Sequence, residues 1–230
     1  MGRHTLPGNP PVDITLKRSG RARRISLRVS GLDGRVTLTL PQGVSEREGM
    51  AFARDKAAWL RSHLDGRAEP AMVGLGATVP VEGVPHEVVA GTGRSVRVAD
   101  GRLAVPGDPA AAGARLAGWL KALARDRLAT ASDGYAHALG RGYSRLTLRD
   151  TRSRWGSCTT DGGLMFSWRL ILAPPEVLRY VAAHEVAHLA EMNHSPAFWG
   201  VVERLHGPYA APRRWLRENG AALHGYRFEG

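Results

Sequence analysis

His184–His194 reads HEVAHLAEMNH, and this stretch decides how the chain is understood. His184 and His188 are four residues apart, so a helix carries both imidazoles on one face, one turn apart. A helix is well supported here. Pro174 and Pro175 suit a first turn, where a missing N–H costs nothing, and Val177, Leu178, Val181, Ala182 and Leu189 supply a buried side. The pattern predicts a helix over about 174–190 that is finished by Met192 or Asn193, since asparagine tolerates a left-handed turn. Ser195 and Pro196 read as the N-cap and first residue of a following helix. His194 therefore stands in a tight corner just past the first helix, within reach of its histidine face.

Neutral imidazole is a good Zn2+ ligand, and two of them at this spacing supply half a tetrahedron. The expected metal ligands are His184, His188 and His194, with Glu203 and Glu191 as rivals for the third position. Glu185 is adjacent to the first ligand and is not needed to hold an ion. As a base, its carboxylate can take the proton of a metal-activated water, so Glu185 is the expected catalytic residue of a metal-assisted hydrolase.

The flanking segments predict the rest of the architecture. Residues 1–12 are rich in Pro and Gly and read as a loose tail. Residues 25–41, ISLRVSGLDGRVTLTLP, alternate apolar and polar positions about Asp33-Gly34, a hairpin signal. Ser45 with Glu48 forms a capping-box pattern that opens a helix to about His63. Valine-rich runs broken by glycine between Met72 and Val105 predict a second set of antiparallel strands. An alanine-rich helix follows over about 109–139, with Leu116, Trp119, Leu120, Leu123 and Leu128 inward. SRLTLRD predicts a short strand, and residues 151–175 a turn-rich loop with a further strand. Helices are expected over 196–205 and 212–223. Strands with a helix, more strands, then helices argue for an α+β fold rather than a doubly wound parallel sheet. The expected organisation is a tail (1–12), an N-terminal β-rich region (13–107) and a helical region carrying the histidines (108–230), continuous with the preceding one.

Arg154–Cys158, RWGSC, followed by LILAPPEVLRYVAAHEVAHLAEMNHSPAFW, resembles the YgjP-like metallopeptidase domain family, itself related to SprT/WLM-type zinc proteases. The resemblance runs from about Ile25 to Leu216 and is most specific over 152–199. It implies a zincin-like core with a short sheet, Zn2+ on His184, His188 and His194, Glu185 as general base, and a protein or peptide substrate. The His188–His194 spacing is also that of metzincins, but Glu191 replaces their glycine and no later methionine builds their Met-turn. In the RWGSC segment, one reading brings Arg152 or Arg154 to the metal to steady negative charge. The other makes it a structural loop with Trp155 in the core and Gly156 as the turn. Cys158 reads as a small buried hydrophobe rather than a fourth ligand.

Charge and composition bound the alternatives. The net charge is +11, carried by 29 Arg and 3 Lys, densest in Lys17–Arg28, KRSGRARRISLR. Attraction to a polyanion such as nucleic acid is one reading; a coding bias spread along the chain is the other. A metal-dependent phosphohydrolase acting on nucleotides and a basic nucleic-acid-associated module are the competing functions. No run approaches the roughly 18 apolar residues of a membrane span, and the N-terminus lacks the apolar core of a secretory signal. A single cysteine excludes an internal disulfide and suggests a reducing, cytoplasmic setting.

Overall fold

Helices and small sheets combine in the α+β arrangement that the element order predicts. The computed structural model describes residues 2–30, 34–65 and 71–228. The chain divides into two units, Met1–Glu69 and Pro70–Gly230.

In the first unit, β1 (Gly2–Leu6), β2 (Val12–Arg18), β3 (Ser26–Val29) and β4 (Val36–Leu40) form one sheet in the order β1-β2-β4-β3. Residues 2–6 are thus a paired strand and not a loose tail. Five residue pairs join β1 to β2, Leu6 is 1% exposed, and Thr5 Oγ1 donates to Asp13. The Pro/Gly run that suggested a tail is the link between these two strands. The predicted hairpin forms as β3 and β4, antiparallel with Leu27 opposite Leu38; of its turn, Asp33 lies outside the described residues. Alternation on β4 buries Val36, Leu38 and Leu40 against Met50, Ala53 and Leu60 of α1 (Glu46–Asp55) and α2 (Ala57–Asp65). Ser45 and Glu48 make the reciprocal capping box at the start of α1. The expected single helix is divided at Lys56. In the basic cluster, Arg18 donates to the carbonyls of Gln42 and Val44, tying the end of β2 to the entry of α1.

The second unit opens with β5 (Ala71–Met72), β6 (Thr78–Val81), β7 (Val84–Gly91), β8 (Arg97–Ala99) and β9 (Arg102–Pro106). Strands β6 to β9 lie in the order β6-β7-β9-β8, the same arrangement as β1 to β4. The expectation of a purely antiparallel set is corrected at its centre, where β7 and β9 are parallel. The β8–β9 hairpin turns through Asp100-Gly101, both at positive φ, and delivers β9 between β7 and β8. These strands share a core with the C-terminal half, and the division of the chain falls at Glu69–Pro70 rather than near 107. Val79, Val81, Val88, Leu103 and Val105 share one core with Leu116, Leu120 and Leu128 of α3 (Ala112–Leu139).

Beyond α3 come β10 (Arg145–Arg149), β11 (Gly156–Cys158) and β12 (Gly163–Ser167), in the order β10-β12-β11, so β11 is an edge strand. The chain continues through α4 (Pro175–Ala187), α5 (Pro196–His206), α6 (Ala210–Leu223) and β13 (Tyr226–Arg227), which pairs with β5. Helix α4 packs against α3, α5, α6 and β11, which explains a sequence apolar on several sides. Arg169, only 6% exposed, forms a two-point ion pair with Asp150 (2.6 and 3.0 Å) and donates to the carbonyls of Leu223 and Tyr226. It thereby ties the loop before β11 to the C-terminal segment. Among the described residues no helix is long and apolar enough to cross a membrane.

Candidate metal centre

Helix α4 delivers His184 and Glu185 from its last turn. It ends earlier than the sequence suggests, at Ala187, with His188 as C-cap, but His188 keeps helical backbone angles (φ −65°, ψ −19°). The two imidazoles therefore still share a face, with ring centres 5.1 Å apart. The corner then runs back to Ser195, whose hydroxyl caps α5 by accepting from the Phe198 N–H. This places the His194 ring 5.0 Å from that of His184 and 4.9 Å from that of His188.

His194 Nε2 lies 3.1 Å from His184 Nε2. Two nitrogens bound to one tetrahedral zinc at about 2.0–2.1 Å are separated by roughly 3.3 Å, so the spacing fits a shared ion. His188 Nδ1 is 2.9 Å from the Glu191 carbonyl. A carbonyl only accepts, so Nδ1 carries the proton and Nε2 presents its lone pair to the cluster. One ligand atom from each of the three residues falls within 4.8 Å of the others. Glu191 thus contributes its backbone, and Glu203 lies exposed along a different cleft; neither carboxylate joins the three rings among the described residues.

Packing, more than hydrogen bonding, orients the rings. His184 Nδ1 is buried and meets no partner. Phe198, fully buried, stacks on His188 at 4.4 Å and meets the edges of His184 and His194 at 4.9 and 4.8 Å. Tyr180, one turn before His184, and Trp199 close the other sides at 6.0 and 5.7 Å. Burial first, then the neighbouring His188, His194 and Arg213, pushes the pKa of His184 down to about 3. Burial likewise lowers that of His188, against its bond to Glu191. Both rings are neutral at pH 7, the form in which imidazole binds a metal.

Glu185 is 5% exposed, and burial raises its carboxyl to about 8, opposed by the charge of Arg154. It faces a cleft of about 450 Å³ that also holds the three histidines, Arg154, Ser157, Cys158 and Met192. Of the two arginines weighed from the sequence, Arg154 reaches this cleft. Arg152 instead acts by charge on Asp150 and His224. Gly156 makes no turn. It lies in β11, and a Cβ there would stand 2.6 Å from Glu185 Oε1. Trp155 packs against His224 and Gly220. Cys158 is half-buried on the cleft wall; burial and then the charges of Glu185 and Asp161 push its thiol up to about 11, so it is a neutral wall residue.

Sequence reading missed Gly156, Phe198 and the aromatic group behind the histidines. Trp199 stacks with Tyr209 at 5.1 Å, Tyr209 with Tyr180 at 6.2 Å, and the Arg213 guanidinium lies 4.6 Å from the Trp199 ring. The SPAFW segment carries a family likeness, yet nothing local in it says that Phe198 touches all three imidazoles.

A family model described as YgjP-like, metallopeptidase domain, matches residues 23–219 of the chain. The crystal structure of the metallopeptidase zymogen of Pyrococcus abyssi abylysin matches with 20% identity and a TM-score of 0.36, over 40% of this chain and 92% of that one. No curated protein matches the chain.

Proposed function

We propose, for a chain that belongs to the YgjP-like metallopeptidase family, that His184, His188 and His194 hold a zinc ion and that Glu185 is the general base of peptide-bond hydrolysis. The observation that carries this reading is the 3.1 Å approach of two imidazole nitrogens, with the third ring fixed to present its free nitrogen to them. Three imidazole nitrogen ligands, leaving one position for water, are the donor set of a catalytic rather than a structural zinc.

Bound there, zinc would act as a Lewis acid toward both a water and the substrate carbonyl. The chain's own groups do the remaining work. The Glu185 carboxylate accepts the proton of the attacking water and later gives it to the departing amine. Arg154 lines the same cleft, and its charge would offset the negative charge that develops on the carbonyl oxygen. Among the described residues, strand β11 has one edge without a partner strand, and its residues line the cleft. An extended peptide can pair with that edge, which holds its carbonyl near the histidines. A thiol-form Cys158 suits a reducing, cytoplasmic setting.

The test is the Glu185→Gln variant. Zinc content should match the parent while peptide hydrolysis falls at least about 100-fold; hydrolysis at the parent rate would remove Glu185 from its role.

One observation favours a second reading, hydrolysis of a nucleotide phosphate: the larger cleft of about 750 Å³ on α6 is lined by Arg213, Arg214 and Arg217. Against it, no group of carboxylates apt for a second metal is present among the described residues. Incubation with an unfolded protein and with a nucleoside triphosphate, each with and without chelator, separates the two.

A further inference from the structure

We propose that the cleft on the first turns of α6 is a substrate subsite for an oxyanion, a carboxylate or phosphate group, set apart from the histidine cluster by the Trp199 ring. This rests on the reading of the histidines as the reaction centre.

Three observations carry it. First, the cleft has a volume of about 750 Å³ and its charged lining is Arg213, Arg214 and Arg217 against the single acid Glu203. Arg213 and Arg217 are four apart on one helix, and Arg214 and Arg217 three apart. Like charges at these spacings repel and weaken a helix, so folding alone gives no reason for the arrangement, whereas an anion between them offsets it. Second, two of the guanidinium groups make no ion pair. Arg217 pairs with exposed Glu218 at 3.7 Å, but Arg213 and Arg214 have no carboxylate partner among the described residues.

Third, Arg213 is joined to the reaction centre by a single indole. Its guanidinium lies 4.6 Å from the Trp199 ring, and that ring is 5.7 Å from His184 and 5.9 Å from His194. Tyr209, which also lines the cleft, stacks on Trp199 and holds it in place. A guanidinium stacked on an aromatic face keeps its N–H edge free for two-point binding of a carboxylate or phosphate. The subsite therefore takes an acidic side chain, a free C-terminus or a phosphate group of the bound substrate. A general arginine bias explains scattered surface charge; it does not explain three guanidinium groups around one cavity beside this centre.

The experiment measures binding calorimetrically to the full chain carrying Glu185→Gln and loaded with zinc, so that no turnover is needed. The probes are a capped decapeptide of Ala, Gly and Leu bearing one Glu, the same peptide with Gln, and inorganic pyrophosphate. The Glu peptide or pyrophosphate should bind about tenfold more tightly than the Gln peptide, and the preference should vanish in Arg214→Glu/Arg217→Glu and shrink in Arg213→Gln. Preference for the Glu peptide identifies a carboxylate subsite; preference for pyrophosphate alone identifies a phosphate subsite. Equal affinity for charged and neutral probes, absence of binding by all three, or a preference that survives charge reversal would overturn the proposal. An anion preference in a protein that hydrolyses neither peptides nor nucleotides would leave the subsite standing and remove the hydrolase reading instead.

Discussion

The side chain of Glu185 occupies the space that any residue other than glycine at position 156 would need: a Cβ on Gly156 would stand 2.6 Å from both Cγ and Oε1 of Glu185. Gly156 is in extended strand, with no left-handed backbone to accommodate, so the requirement is one of room. Gly156→Ala should push the carboxylate out of line with its substrate while leaving the three histidines in place. Because a displacement of about 1 Å can cost about 100-fold in rate, kcat should fall by that order with zinc content unchanged. Parent-level turnover in this variant would mean that the contact does not position Glu185.

Phe198 touches all three imidazoles and is fully buried. Phe198→Ala should cost about 3–5 kcal/mol of unfolding free energy and weaken zinc binding, because the rings lose the surface they pack on. Chemical denaturation and competition with a zinc chelator read the two effects separately. A loss of stability with zinc affinity intact would show that the rings are ordered without it.

His224 is 6% exposed beside Trp155, and burial, with the charge of Arg169 adding to it and Asp150 opposing, pushes its pKa down to about 4. The folded value lies below the ordinary 6.5, so the stabilisation is full above about pH 6.5 and is lost as pH falls toward 4. Its size is roughly 3 kcal/mol. Asp150 works in the same direction: burial raises its pKa, but the hydrogen bond and charge of Arg169 outweigh this and leave it lowered, so its contribution also fades in acid. Urea unfolding in chelator, at pH 7 and pH 4.5, should show the parent losing more stability than His224→Gln. Identical losses would remove His224 from the account.

Metal removal should destabilise the second unit. Three imidazole rings crowd together there, and an ion that binds only the folded state adds about 2.7 kcal/mol at a free concentration 100 times Kd. The melting temperature should drop in chelator and return with added zinc, and magnesium should not replace it, since imidazole nitrogens suit zinc. A melting temperature indifferent to chelator would contradict this.

The parts of the site legible in the sequence are those set by local geometry. His184 and His188 are coupled by one helical turn, and His194 by a short corner between two capped helices, so spacing pointed to the grouping of the three rings, with Glu203 and Glu191 left as rivals for the third place. Gly156 was not legible in the same way: β11 meets α4 only through tertiary packing, and a glycine among Arg, Trp and Ser reads locally as a turn. Arg213, Arg214 and Arg217 were submerged in a chain with 29 arginines; only the cavity and the Trp199 contact distinguish them. In the fold, alternation revealed β3 and β4, yet β1, with one core-facing leucine beside a Pro/Gly run, gave no such signal. The parallel contact of β7 with β9 depends on which edge the β8–β9 hairpin joins, and strand periodicity does not encode that.

X-ray absorption at the zinc edge of the purified, zinc-loaded protein tests the central claim most directly. Three imidazole nitrogens at about 2.0–2.1 Å and one light-atom solvent ligand are expected. A sulfur in the shell, a fourth protein ligand filling the open position, or fewer than three imidazoles would contradict it.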